Sequence, residues 1–242
     1  MQMPTPRLSE EVYVLGLDLG QSMDFSALAA VARRELPREP EQVRRIYHYT
    51  LRGLKRWPLG TLYTQIVQDV SGIMAQPPLT GCTLGVDRTG CGQPVVELFT
   101  QAEVKAYLSP ILITGGHAVT PDGAGYHVAK VELVSVLRKV LQSRRLTIPD
   151  TIPEAENLQK ELLAFRAKVT LSKEDEAAAE WRTRPHDDMV LAIAIAVWLG
   201  EYTSQCGCEL VEPARSPFGP RPVHLRDLPA TRDPRGGGSS HG

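Results

Sequence analysis

Apolar positions along this chain fall into short unbroken runs separated by longer stretches of helical spacing. Val12 to Leu17 is apolar throughout and ends on Asp18 and Gly20, as a buried strand does on leaving a sheet. Phe25 to Ala32 is a second apolar run. The Pro-flanked charged segment Arg33 to Pro40 then gives way to Val43 to Leu51, rich in aromatic and β-branched residues. Three consecutive strands in a meander are the simplest arrangement of these runs. Pro58 opens a helical pattern carried by Leu62, Ile66, Val67, Val70, Ile73 and Met74, and Gln76-Pro77-Pro78 closes it.

The second half repeats the opening in altered form. Cys82 to Asp87 is an apolar run that again ends on an acid. A Gly-rich turn follows, then Pro94 at a position suited to a first helical turn and an apolar helical stretch from Val95 to Val104. Tyr107 to Thr114 reads as a strand, Gly115 to Tyr126 as a Gly-rich loop, and Lys130 to Ser143 as a helix striped by Leu133, Val134, Leu137, Val140 and Leu141. Leu146 to Ile148 is a brief edge strand, Ile152 to Phe165 a helix and Arg166 to Leu171 a strand, with Ser172 placed to cap an acidic turn ending near Trp181. Pro185 to Trp198 is the helix expected to be most buried. Its alanines Ala192, Ala194 and Ala196 suit close approach to a sheet.

Strands alternating with helices give an α/β domain with a central mixed sheet and helices on both faces. The expected division is an extension at 1–11, one domain at 12–203 and a flexible tail at 204–242, rich in Pro, Arg and Gly.

Composition narrows the class. With 42% hydrophobic and 23% charged residues the chain is an ordinary globular protein. Its formal net charge of -1 gives no overall attraction to nucleic acid, so local clusters carry any such role. The four cysteines, Cys82, Cys91, Cys206 and Cys208, form no CxxC pair, and Met1 to Glu11 lacks the apolar core of a secretory leader. A reduced, cytoplasmic protein without structural zinc is expected. The longest apolar run, Met189 to Leu199, is too short to span a bilayer, so no membrane association is expected.

The chemistry concentrates in acids. Asp18 closes the first strand with no Lys or Arg between Glu11 and Arg33 to pair with it locally. Asp87 closes the fourth strand, and Asp187-Asp188 open the last helix. A strand-ending turn accounts for either strand acid alone and helix capping for the pair. Taken together, they belong where functional groups of α/β sheets gather, outside the carboxyl ends of strands. Carboxylates without cysteine suit Mg²⁺ or Mn²⁺, hard cations that take oxygen ligands, and two such ions can drive hydrolysis of a phosphodiester.

Four segments, Gly16-Leu-Asp-Leu-Gly20 with Asp24, Val86-Asp-Arg-Thr-Gly-Cys-Gly-Gln-Pro-Val-Val-Glu97, Val128-Ala-Lys130 and His186-Asp-Asp-Met-Val-Leu-Ala192, resemble the nuclease domain of phage large terminases, of the ribonuclease H-like superfamily. They cover about Val12 to Gly200. The resemblance implies a ribonuclease H-like fold and a metal-dependent endonuclease that cuts duplex DNA with little sequence preference, as in phage DNA packaging. Asp18, Asp87 and Asp188 are then metal-binding acids for two ions of Mg²⁺ or Mn²⁺. Asp187 joins them as a catalytic acid, and Asp24 serves as an outer ligand. Either Asp187 or Asp188 could face the metal.

Lys130 matches a basic family position that could hold the scissile phosphate, although a solvated helix-start lysine fits as well. His186 could orient a carboxylate or move a proton, or serve only as a polar helix-entry residue. Gly90-Cys91-Gly92 could present N–H groups to phosphate or simply turn the chain. His117 and His127 fall in the Gly-rich loop.

Basic residues Arg44, Arg45, Arg52, Lys55 and Arg56, beside Trp57, form one cluster, and Arg138, Lys139, Arg144 and Arg145 another. On the rim of an acidic site either would grip DNA backbone; elsewhere each is a solvated face. The family's partners, a terminase ATPase subunit, a small terminase and a portal, are implied too, since no GxxxxGK[ST] segment occurs here. The competing readings are a Holliday junction resolvase of the RuvC type, an actin-like kinase or ATPase, and a non-catalytic DNA-binding module on the same fold.

Overall fold

The computed structural model describes residues 11–20, 24–37, 41–91, 93–123, 125–171 and 187–205. Strands β1 (Val12–Asp18), β2 (Ser26–Glu35) and β3 (Tyr47–Trp57) form the expected antiparallel meander. Helix α1 (Tyr63–Met74) then carries the chain back to β4 (Thr83–Asp87), which lies parallel to β1 on the side away from β2. After α2 (Gln93–Gln101), β5 (Tyr107–Thr114) joins parallel to β4. The order β3-β2-β1-β4-β5, with three antiparallel strands followed by two parallel ones, is the ribonuclease H-like arrangement.

Two short strands differ from expectation. Segment 115–126 is not wholly a loop: β6 (Val119–Pro121) folds back antiparallel on β7 (Tyr126–Ala129), which pairs parallel with β5. Pro121 is tolerated because β6 is the sheet's edge strand. Helix α3 (Lys130–Gln142) follows without a break, and β8 (Leu146–Thr147) closes the opposite edge against β3, giving eight strands.

Segment 166–171 is the clearest correction. It continues α4 (Ala155–Leu171) as helix, although Val169 and Thr170 favour a strand locally. The turn expected from Ser172 to Trp181 lies outside the described residues. Helix α5 (Asp188–Gln205) is the last element among the described residues.

Two apolar cores flank the sheet, one on each face. Alternate residues of β1 serve them: Tyr13, Leu15 and Leu17 pack with α1 and α2, while Val14 packs with α3, α4 and α5. Helix α5 is apolar all round, from Met189 to Leu199, because the sheet covers one side and α3 and α4 cover others. Its seat on the sheet is made by glycine. A β-carbon on Gly16 would stand 2.1 Å from the Ala192 carbonyl oxygen, and one on Gly85 would stand 2.5 Å from a Leu199 methyl. These two glycines are direct neighbours in the β1–β4 register.

Candidate functional site

Each of those glycines lies two residues before an acid on the same face of the sheet. Asp18 and Asp87 therefore end adjacent parallel strands on the side covered by α5, whose first residue is Asp188. All three are buried, with exposures of 8%, 5% and 5%. The turn after Asp18 is pinned by two hydrogen bonds: the Gly20 amide donates to Ser26 Oγ at 3.0 Å, and Tyr63 Oη donates to the Gly20 carbonyl at 3.0 Å. Asp87 is fixed by the Thr89 amide, which donates to its Oδ1 at 2.7 Å, while Thr89 Oγ1 accepts from the Ile113 amide at 2.7 Å. The φ of 79° at Gly90 makes the tight turn that lets this happen.

The acids interact strongly. Burial pushes the Asp18 carboxyl well above the usual carboxylate range, and the charges of Asp87, Asp188 and Asp187 push it further. Asp87 is also raised, by burial, against the opposing effect of its Thr89 bonds. Asp18 and Asp87 act on each other as a tightly coupled buried pair, and burial is the first cause of the rise in both carboxyls. Asp187 and Lys130, at the start of α3, are paired at 3.2 Å, and the Lys130 charge also acts on Asp87. The structure thus brings together Asp18, Asp87, Asp187, Asp188 and Lys130, residues drawn from four elements or their ends.

Other expected residues lie farther out. Asp24 is exposed, where the chain returns from the β1 turn. His186 lies outside the described residues, as do Gly92, Cys206 and Cys208. His117 is exposed, whereas His127 sits on β7 with its Nε2 at 2.8 Å from Asp122, which also bonds Arg88.

The basic clusters separate. Arg44 and Arg45 precede β3 at the end of the sheet remote from Asp18; Arg45 pairs with Glu35 at 3.6 Å. Arg138, Lys139, Arg144 and Arg145 gather at that same remote end, where Arg145 bonds Glu201 and the Tyr47 carbonyl at 2.7 and 2.8 Å. Arg52 pairs with Glu11 at 2.7 Å. Lys55 faces α1, held at 2.8 Å by Asp69, which also accepts from Trp57 Nε1. Arg56 alone of these shares the row of the acids, since Asp18 pairs with Ala27 and Ala27 with Arg56.

One acid escaped the sequence reading. Glu161 of α4, 7% exposed, accepts from the Met189 and Val190 amides at 3.1 and 3.4 Å and pairs with Arg56 at 3.4 Å. Burial and the neighbouring Asp188 charge push its carboxyl up to about 7. Its signal was a charge on a helical stripe otherwise made by Leu158, Leu162 and Phe165.

The donor set is chemically suited to hard divalent cations, since it consists of buried carboxylate oxygens whose mutual repulsion a cation would relieve. Among the described residues no group of three His, Cys, Asp or Glu already stands at metal-ligand spacing. Asp18 and Asp87 face each other instead.

No family model and no curated protein sequence matches the chain. A solved structure does. The human cytomegalovirus terminase nuclease domain, Mn soaked and inhibitor bound, superposes with a TM-score of 0.48 at 12% identity, over 82% of this chain and 86% of that one. Among the described residues no helix is long and apolar enough to cross a membrane.

Proposed function

We propose that the chain is a divalent-metal-dependent endonuclease acting on duplex DNA. The observation that carries this reading is the meeting of three buried acids, from β1, β4 and the start of α5, at the carboxyl edge of a ribonuclease H-like sheet. Buried carboxylates without a structural cation are costly to the fold, so their presence calls for a ligand that offsets them.

Asp18, Asp87 and Asp188 would hold Mg²⁺ or Mn²⁺. When bound, two such ions supply a water nucleophile at neutral pH and stabilise the oxygens of an in-line displacement at phosphorus. The protein's own part would be to keep Asp87 oriented through Thr89, to hold Asp188 at the first turn of α5, and to let the raised carboxyls give up protons as a cation binds. Lys130, half-exposed and bonded to Asp187, would contact a backbone phosphate in this reading. Asp24 stands at the outer approach. Arg44, Arg45, Lys55 and Arg56 belong to this reading only as contacts to DNA backbone; Arg44 and Arg45, at the end of the sheet remote from the acids, would meet only a duplex that runs back along the whole sheet. Delivery by an ATPase subunit, a small terminase and a portal is the assembly in which such a domain would work, in the cytoplasm of the host cell.

The test is cleavage of linear duplex by the parent chain, Asp18→Asn and Asp87→Asn, each with Mg²⁺, Mn²⁺ or a chelator. Cleavage by the parent that needs the cation and is lost in both variants is the expected result. Parent-level cutting by either variant would refute the assignment, and a strong preference for four-way junctions over linear duplex in competition would favour a resolvase.

A further inference from the structure

We infer that Glu161 is a positioning residue for the acids of α5: a carboxylate borrowed from α4 that caps the first turn of α5 and leaves Asp187 and Asp188 to the site. This rests on the nuclease reading, which it deepens. The Asp187 carbonyl accepts from the Leu191 amide at 2.8 Å, so Asp187 occupies the cap position of α5. An aspartate there ordinarily turns its carboxylate onto the amides two and three residues ahead. Here those amides, of Met189 and Val190, donate to Glu161 Oε2 at 3.1 and 3.4 Å, and Asp187 Oδ2 is bonded to Lys130 at 3.2 Å.

Glu161 is itself anchored from the sheet. Arg56 Nη1 donates to Glu161 Oε1 at 3.4 Å, the guanidinium lies 3.7 Å from Glu154, and its centre stands 4.6 Å above the Phe25 ring. Arg56 belongs to the cross-strand row that contains Asp18. A chain of contacts therefore runs from the strand that carries Asp18, through β2, Arg56 and Glu161, to the turn that carries Asp188. It ties the helix acids to the strand acid through amide and guanidinium hydrogen bonds that hold against the repulsion between Glu161 and Asp188.

The experiment compares the parent with Glu161→Ala and Glu161→Gln in two readouts. In duplex cleavage with titrated Mn²⁺, Glu161→Ala should lower kcat about 10- to 100-fold, as loss of a supporting contact does. KM for DNA should stay within about twofold. Glu161→Gln, whose amide oxygen still accepts both amides and which gives up only the 3.4 Å bond from Arg56, should recover to within about threefold of the parent. An equal loss in both variants, with a raised Mn²⁺ requirement, would make Glu161 a metal ligand and overturn the positioning role.

The second readout is hydrogen–deuterium exchange at the Met189 and Val190 amides, which needs no activity. Exchange about tenfold faster in Glu161→Ala and parent-like in Glu161→Gln is expected. Parent-like exchange in Glu161→Ala would overturn the inference whether or not the chain cuts DNA. A parent chain inactive with every divalent cation would sink the nuclease reading and leave the exchange result to decide this one. Should Glu161→Ala fail to fold, Glu161→Leu, which also lacks an acceptor, carries the same comparison.

Discussion

Replacing Gly16 by alanine should damage both the stability and the activity of this protein, because a single methyl group would stand between the strand of Asp18 and the helix of Asp188. The added carbon would lie 2.1 Å from the Ala192 carbonyl oxygen and 2.7 Å from the Ala196 nitrogen, well short of the 3.4 Å at which ordinary contact begins. Both obstacles are backbone, so no rotamer change relieves them, and β1 and α5 would have to part by roughly 1 Å in a tightly packed interior. Overpacking of this kind costs about 1–3 kcal/mol, and contact between two backbones belongs at the upper end. At ~2–4 °C per kcal/mol for a domain of this size, Tm should fall by roughly 6–12 °C. A misplacement of about 1 Å also costs up to roughly 100-fold in rate, so cleavage should fall well beyond what unfolding explains. Gly72, in α1, is the control: nothing lies within 4 Å of where its new methyl would stand, and Gly72→Ala should raise stability by up to ~1 kcal/mol. Gly85→Ala should fall between them, since its obstacles are side chains, the movable end of Leu199 at 2.5 Å and the stiffer γ-methyl of Ile195 at 2.7 Å, and not backbone. Calorimetry and a cleavage assay on the three variants settle the order. A Gly16→Ala protein that melts with the parent and cuts at the parent rate would refute the proposed seating of α5.

Asp18→Asn should abolish cleavage yet, in chelator, leave Tm equal or higher by removing a charge from a repelling cluster; a clear drop in Tm would mean that the acid is structural. Stability without metal should fall as pH rises. The raised carboxyls bind protons more tightly in the folded chain than in the unfolded one, so their contribution is full below the ordinary carboxylate range and is lost as pH climbs through the folded values. For Glu161 that window runs from its ordinary 4.5 to about 7, and Glu161→Gln should flatten the stability profile across it. Cleavage should move the opposite way, rising with pH as Asp18 and Asp87 release protons that compete with a cation. Lys130→Ala should weaken DNA binding evenly across sequences and reduce the slope of log affinity against log salt by about 1; an unchanged slope would remove Lys130 from the phosphate path.

Much of this was legible in the residues. The apolar runs ending on Asp18 and Asp87 announced buried strands ending in acids; that Gly16 and Gly85 seat a helix on that face emerged only from the β1–β4 register. What the sequence hid depends on pairing at a distance. The β6 strand exists only because Val119 to Pro121 meets β7, and its Pro and flanking glycines look like breakers when read alone. Residues 166–171 follow the helix that precedes them instead of their own β-branched composition. Arg56 read as one of a basic cluster until its strand placed it in the row of Asp18 and α4 supplied Glu161. Glu161 was visible only as an acid on an apolar stripe, with nothing local to say whose amides it would meet.

The position of α5 far along the chain from β1 and β4 has its own consequence. Asp18 and Asp188 are separated by 170 residues, and the helix that brings the last acid is also the one that fills the trough over Gly16 and Gly85. As the chain leaves the ribosome, at about 5–20 residues per second, the sheet and its two strand acids emerge many seconds before α5. Until α5 docks, the site is incomplete and a wide apolar surface of β1, β2 and β4 lies open. The proposed site and the finished core are therefore completed in one step, and on the nuclease reading a nascent chain would be unable to cut DNA for as long as its apolar surface is open to aggregation.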